Sequence, residues 1–364
     1  MMKRGGRIHI AFFSLLKSGL WEKDMLAPYV FPLSEEEWRD VYNESVRQTV
    51  QGIVFKGLSF LPAGQFPPET LFLRWLAQVA RIEENNAHTE KEIVSLRKFF
   101  ARAGIRFVLK KGQSAAVLYG EPHQRVCGDI DLYFTSIVDY RRACHLIRRR
   151  GIDIHKRPDG SQEYVWNGIM VEHHSTLVDL KNPFLYIYLR RLELQKGFDT
   201  VTFAGYEDTP IAVPGRQLNL LMLNAHIMKH AIISGIGLRQ LCDLARAYYS
   251  YEGRYDTREL RAIYGKARIL RWSGMLHSFL TVHLGLEERY LPYPAATVST
   301  EELFFSVMAR GNFGQLMFDR SHYLPHKLFT LKAMSRNINI SLRYSAFEIF
   351  CWFVQLLYGQ FHEK

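Results

Sequence analysis

Between Val126 and Ser136 the chain reads VCGDIDLYFTS, an apolar, β-branched stretch that carries two aspartates, Asp129 and Asp131. Strand side chains alternate with a period of two, so both carboxylates point to one face while Ile130, Leu132 and Phe134 point to the other. Two like charges on one face of a buried strand are costly to desolvate and repel each other. A fold that accepts them needs a cation in front of the pair or a wide opening to solvent.

The hydrophobic period changes on either side of this strand. From Leu33 to about Lys98 it is helical: Ser34 and Glu37 form a capping box ahead of Trp38, Val41, Val46, Val50, Ile53 and Val54. The run PPET at Pro67 to Thr70 then opens a second long helix. From Gly104 to about Leu180, IRFVLKKG reads as a strand running into Gly112, QSAAVLYG as a short helix ended by Gly120, and DIDLYF as a second strand. SIVDYRRACHLIRRRG follows as an amphipathic helix capped by Ser136 and stopped by Gly151, then SQEYVWNGIMVEHHSTL as a hairpin turning at Asn167 and Gly168. Beyond Lys181 a short β segment, FDTVTFAGYEDTPIAVPG, precedes helices. The expectation is an α+β chain, with a small mixed sheet and its helices at residues 101–215 between helical regions at 1–100 and 216–364.

Composition narrows the setting. With 48% hydrophobic and 23% charged residues the chain is a folded protein rather than a disordered one. Its net charge of +11 implies attraction to something anionic: a nucleotide, a nucleic acid, a membrane surface or an acidic partner. Cys127, Cys144, Cys242 and Cys351 form no C-x-x-C pair and read as reduced thiols of a cytoplasmic protein. The basic, apolar start is broken by Ser14 and Lys17 with no small-residue cleavage site after it, so no signal peptide is expected. The apolar segment from Tyr344 to Tyr358 holds Glu348 and Gln355 and is too short to span a bilayer comfortably.

Three features converge on the edge of the small sheet. Beside Asp129 and Asp131 stands Glu172 on the second hairpin strand, where alternation in MVEHHSTL puts Glu172, His174 and Thr176 on one face. If the strands pair, three carboxylates meet, a donor set suited to Mg²⁺ with substrate phosphates completing its shell. The third feature is KKGQS, Lys110 to Ser114, at a strand-to-helix junction, where backbone N–H groups and a glycine form an anion site.

The run LKKGQSAAVLYGEPHQRVCGDIDLYF, continued by VEHH, LNAHIMKH and LRQLCDLAR, resembles the uncharacterised nucleotidyltransferase family within the DNA polymerase β-like superfamily, over about Gly104 to Arg246. The order of the motifs is more specific than any one of them. The resemblance implies Asp129, Asp131 and Glu172 as metal ligands and catalytic groups, Mg²⁺ (or Mn²⁺) as cofactor, and an NTP as substrate with an acceptor that the chain does not specify. It implies nucleotide contacts from Lys110, Lys111, Gly112, Gln113, Ser114, Arg125, Gly128, His174, His226 and His230. Gln113 departs from the superfamily's usual Gly-Gly-Ser or Gly-Ser turn.

Other readings stand beside these. D-x-D also occurs in nucleotide-sugar glycosyltransferases, and an inactive chain of this fold would keep a nucleotide or protein surface without turnover. Lys111 either snorkels from its strand end or meets phosphate, and Arg125 either pairs with Glu121 or reaches a triphosphate. His226 and His230, four apart on one helix, are a buried pair, a nucleotide contact or zinc ligands, although HIMKH lacks a metalloprotease glutamate. Arg239 and Asp243 read as an i,i+4 ion pair, and Arg148 to Arg150 as charges complementing a helix C-terminus. Cys127 reads as a small packed residue. The transferase reading expects Glu172 to face the aspartates, and no lysine or arginine to neutralise them where the ions would sit.

Overall fold

The computed structural model describes residues 4–157, 160–233, 235–311 and 338–358. No helix among them is long and apolar enough to cross a membrane. The interrupted apolar start is helix α1, Arg4–Trp21. Its serines do not break it, because Ser14 and Ser18 hydrogen-bond to carbonyls one turn back, at Ala11 and Ser14. Helix α2, Glu35–Arg47, starts on the expected capping box: Ser34 Oγ accepts from the Glu37 N–H, and Glu37 Oε2 from the Ser34 N–H at 2.8 Å.

Helix α3, Gln51–Gly57, lies so close on α1 that only glycine fits at the crossing. A Cβ on Gly19 would stand 1.8 Å from the Ile53 carbonyl oxygen, and one on Gly57 2.1 Å from that of Leu15. Because the obstacle is backbone, the helices would have to separate. Gly19→Ala is expected to cost about 1–3 kcal/mol, read as a lower urea midpoint at unchanged m-value.

Helix α4, Glu69–Ala101, begins after the two prolines and serves two layers. Leu71, Trp75 and Val79 pack in the helical core, whereas Ile93, Leu96 and Phe100 pack behind the sheet. The sheet is mixed, in the order β1-β2-β5-β4-β3. Its strands are β1 (Val108–Leu109), β2 (Ile130–Tyr133), β3 (His155–Lys156), β4 (Gln162–Trp166) and β5 (Ile169–His174). Strands β2 and β5 run parallel, and the other neighbours are antiparallel. The β4–β5 turn has positive φ at both Asn167 (48°) and Gly168 (86°), as a two-residue hairpin of this twist demands.

Helix α5, Gln113–Ala116, is a single turn; α6, Ile137–Arg149, is capped by Ser136 and followed by Gly151 at φ 77°. The back of the sheet buries Ile130, Leu132, Phe134 and Val171 against Phe100, Tyr140 and Ile147. His173 joins this side, its Nε2 2.9 Å from Tyr164 Oη. The opposite face is left with Asp131, Tyr133, Glu172 and His174.

A ribbon of β6 (Phe198–Val201) and β7 (Ile211–Pro214) follows helix α7, Tyr186–Lys196. Then come α8 (Arg216–Ile233), α9 (Leu238–Ser250), α10 (Thr257–Lys266), α11 (Leu270–Leu284), α12 (Glu301–Arg310) and the helix Ile338–Tyr358. One apolar core joins α1–α4 to α8–α11 and takes in Val108 and Tyr133 from the sheet. Across it Trp21 Nε1 donates to the Leu284 carbonyl at 2.6 Å and Arg246 Nη1 to that of Leu20 at 3.0 Å.

His277 sits inside this core, its Nε2 3.0 Å from Tyr248 Oη, and burial pulls its pKa down to about 3. The folded chain therefore holds it neutral while the unfolded chain protonates it near pH 6.5. Its contribution is full above that pH and is lost as pH falls toward the folded value. His173 and His226, also lowered to about 3, act in the same direction. Between about pH 7.5 and pH 5 the His277 share is about 2 kcal/mol. The pH dependence of urea stability in His277→Gln should be shallower by that amount.

Candidate active site

Parallel pairing sets Asp131 opposite Glu172, and the period of two puts His174 on the same face. Asp131 is 1% exposed, and Glu172 and His174 are buried. His174 Nε2 lies 2.7 Å from Asp131 Oδ1 and 3.4 Å from Glu172 Oε2. Asp129 sits half-buried just before β2, and its field is felt by Glu172. Burial, and then the Asp131 charge, raise Asp129 above the usual carboxylate range. The same two causes push Glu172 up to about 7. Burial opposes ionisation of Asp131 as well, but Lys111 and the His174 hydrogen bond outweigh it and hold this carboxyl well below its ordinary value. His174 is lowered to about 4, first by burial and then by the Lys110 charge, so its ring is neutral.

The counter-charges correct one expectation. Lys111 Nζ stands 3.1 Å from Asp131 Oδ1, and Arg157 Nη1 is 2.6 Å from Glu172 Oε1 and 2.7 Å from Glu163 Oε2. Contrary to the expectation above, side-chain cations neutralise Asp131 and Glu172, because buried carboxylates require charged partners. Arg157 follows β3, whose pairing with β4 carries it to the cluster, and no local sequence signal marks it. Among the described residues Asp131 Oδ2 is a buried acceptor with no hydrogen-bond partner.

The KKGQS turn divides its residues. Gly112 has φ 63°, and a Cβ there would crowd the Asp129 carbonyl at 3.3 Å, so glycine is needed for both reasons. Lys111 faces the carboxylates. Lys110, 1% exposed, points elsewhere, donating to the Thr176 carbonyl at 3.2 Å and standing 3.8 Å from Asp179. Burial lowers the Lys110 pKa. Gln113 and Ser114 are buried, Gln113 Nε2 reaching Asn86 on α4 and Ser114 Oγ the Lys111 carbonyl, both at 3.4 Å. A single-turn α5 brings little dipole, so the turn depends on Gly112 more than on a helix start. Gly128 is exposed, with nothing near the position a Cβ would take.

Arg125 does not pair with Glu121, which holds Lys56 at 3.0 Å. Arg125 instead grips Asp243 on α9 with two hydrogen bonds, of 3.0 and 2.5 Å, while Tyr119 Oη donates to Asp243 Oδ1 at 2.8 Å. Arg239 donates to the Val126 carbonyl at 2.9 Å. Asn86 holds the same loop by donating to the carbonyls of His123 and Arg125. These contacts fix the segment that delivers Asp129 and Asp131. Burial raises the Cys127 thiol pKa, in keeping with a packed residue. Arg150 lies over the Phe99 and Trp166 rings at 5.1 and 5.2 Å, a structural placement.

On α8 the His226 and His230 rings meet edge to face, 4.4 Å between centroids. His226 Nδ1 is 3.9 Å from Asp179 Oδ2, too far for a hydrogen bond, and has no hydrogen-bond partner among the described residues. Lys229 Nζ lies 3.7 Å from the same carboxylate. Asp179 is thus a second, separate meeting point of cations, which sequence reasoning missed. Among the described residues the metal-capable group is Asp131, Glu172 and His174, whose ligand atoms all lie within 4.8 Å of one another; the α8 histidines belong to no such group.

Fold and site together define an α+β protein with a candidate metal centre on the front of a mixed sheet. The model of the uncharacterised nucleotidyltransferase family matches residues 34–282, and the chain belongs to that family. Membership supports a general nucleotidyltransferase function, which implies an NTP substrate, and nucleotidyltransferases generally use divalent metals. No curated protein and no solved structure matches it.

Proposed function

We propose that the chain moves the nucleoside monophosphate of an NTP onto a hydroxyl of an acceptor, releasing pyrophosphate, at the acidic face of the sheet. The observation that carries this reading is the convergence of Asp131, Glu172 and His174 in a chain of this family. The residues fit a divalent ion, since Asp131 Oδ2 is a buried acceptor in need of a partner. Asp129, Asp131 and Glu172 are the proposed holders of Mg²⁺ or Mn²⁺. When bound, the ion neutralises phosphate charge and makes the attacking hydroxyl more acidic.

The remaining work falls to the chain. Lys111, already facing the carboxylates, turns its ammonium to phosphate oxygens, and Gly112 lets the backbone approach them. Glu172 either helps to hold the ion or accepts the proton of the acceptor hydroxyl. Arg125 acts as a positioning residue through Asp243, and Lys110, Gln113 and Ser114 position the turn. Gly128 leaves room for the nucleotide beside Asp129, and His226 and His230 line its approach from α8. Catalysis of this kind is mostly alignment and charge neutralisation.

The test is a pyrophosphate-release screen of each common NTP with Mg²⁺ or Mn²⁺, with and without cell extract as acceptor source. Metal-dependent release with a preferred NTP is the expected result. Silence with every NTP points to an inactive chain, and turnover of UDP-sugars instead points to the glycosyltransferase reading; either removes the proposal.

A further inference from the structure

The donor set on the sheet is not purely oxygen. Two register partners on parallel strands supply Asp131 and Glu172, and His174 adds an imidazole nitrogen two residues along β5. Adjacent ligands of an octahedral ion are about 3 Å apart when each bond is about 2.1 Å. The separations of His174 Nε2 from Asp131 Oδ1 (2.7 Å) and from Glu172 Oε2 (3.4 Å) straddle that edge length. The second, independent observation is Asp131 Oδ2, buried on a residue 1% exposed and without a hydrogen-bond partner among the described residues.

We infer that His174 Nε2 is itself a metal ligand, completing a two-carboxylate, one-imidazole set that selects a first-row transition ion over Mg²⁺. This rests on the metal-dependent reading above and gives it a particular ion class. Mg²⁺ prefers oxygen donors and dehydrates reluctantly, whereas Mn²⁺ through Zn²⁺ accept an imidazole in a mixed N,O shell. Ligation requires the His174 tautomer with its proton on Nδ1, and it releases Asp131 Oδ1 from its hydrogen bond to the ring. The ion's charge takes over from Lys111 and Arg157, which move off the carboxylates. Asp129 is then the carboxylate left for a substrate-borne ion.

The test uses the full chain and Mn²⁺, with and without a non-hydrolysable NTP analogue, read by pulsed electron paramagnetic resonance for ¹⁴N coupling and by calorimetry against Mg²⁺. The expected result is a ¹⁴N signal and tighter Mn²⁺ binding in the wild type. In His174→Asn the signal disappears and Mn²⁺ affinity falls about 10–100-fold, with Mg²⁺ affinity little changed. The wild-type signal needs no variant, and a coupling that persists in a folded His174→Asn belongs to another histidine and overturns the inference. Mn²⁺ bound without ¹⁴N coupling also overturns it but leaves the carboxylate reading standing. Absence of Mn²⁺ and Mg²⁺ binding even with the analogue removes both.

Discussion

The Asp129→Asn/Asp131→Asn double variant is expected to lose nucleotidyl transfer by at least about 100–1,000-fold while keeping its fold. Asparagine preserves the volume of each side chain. At position 131 its amide oxygen still accepts a hydrogen bond from Lys111 or His174, so the packing of β2 against β5 survives. What disappears is the charge that would hold a cation beside a triphosphate. The fold side is checked by circular dichroism and melting, the chemistry by pyrophosphate release under single-turnover conditions. Full activity in a folded double variant would dismiss the proposed site.

Asp243→Asn is expected to give the largest loss of stability, about 3–5 kcal/mol. The Arg125 and Asp243 side chains are 6% and 4% exposed, and the Tyr119 hydroxyl shares the carboxylate. Removing the negative member leaves a guanidinium buried against a neutral amide and a phenol. Folded domains hold only about 5–15 kcal/mol in all, so the urea midpoint should move far and soluble yield should fall. An Arg125→Met/Asp243→Leu double variant removes both charges and should recover much of the loss, because neither is left uncompensated. Its recovery should be in stability and not in activity, since Arg125 also anchors the segment leading to Asp129. A cost below about 1 kcal/mol for Asp243→Asn would mean that water reaches the pair.

Local pattern made much of this fold legible. The capping box at Ser34, the Ser136 cap, the Asn167–Gly168 turn and the alternation that puts Glu172 with His174 are all settled within a few residues. Helix α1 lies within the helical region expected at residues 1–100, and its serines are satisfied by their own backbone. At Asp243 the local reading gave only the i,i+4 neighbour Arg239, whereas Arg125, 118 residues away in sequence, supplies the hydrogen bonds to the carboxylate.

What the sequence by itself determined is the direction of each side chain along its element, since helix and strand periods follow from backbone geometry alone. That is enough to put Asp131 and Tyr133 on one face of β2, and Glu172 and His174 on one face of β5, whereas Asp129 falls just outside β2. Only the tertiary structure decided that these faces coincide, through the parallel register that sets Asp131 against Glu172. It also chose the counter-charges, Lys111 from the turn after β1 and Arg157 from the loop after β3. Those choices depend on which distant segments share a core and on the free energy of burying charge, and neither leaves a local period to read.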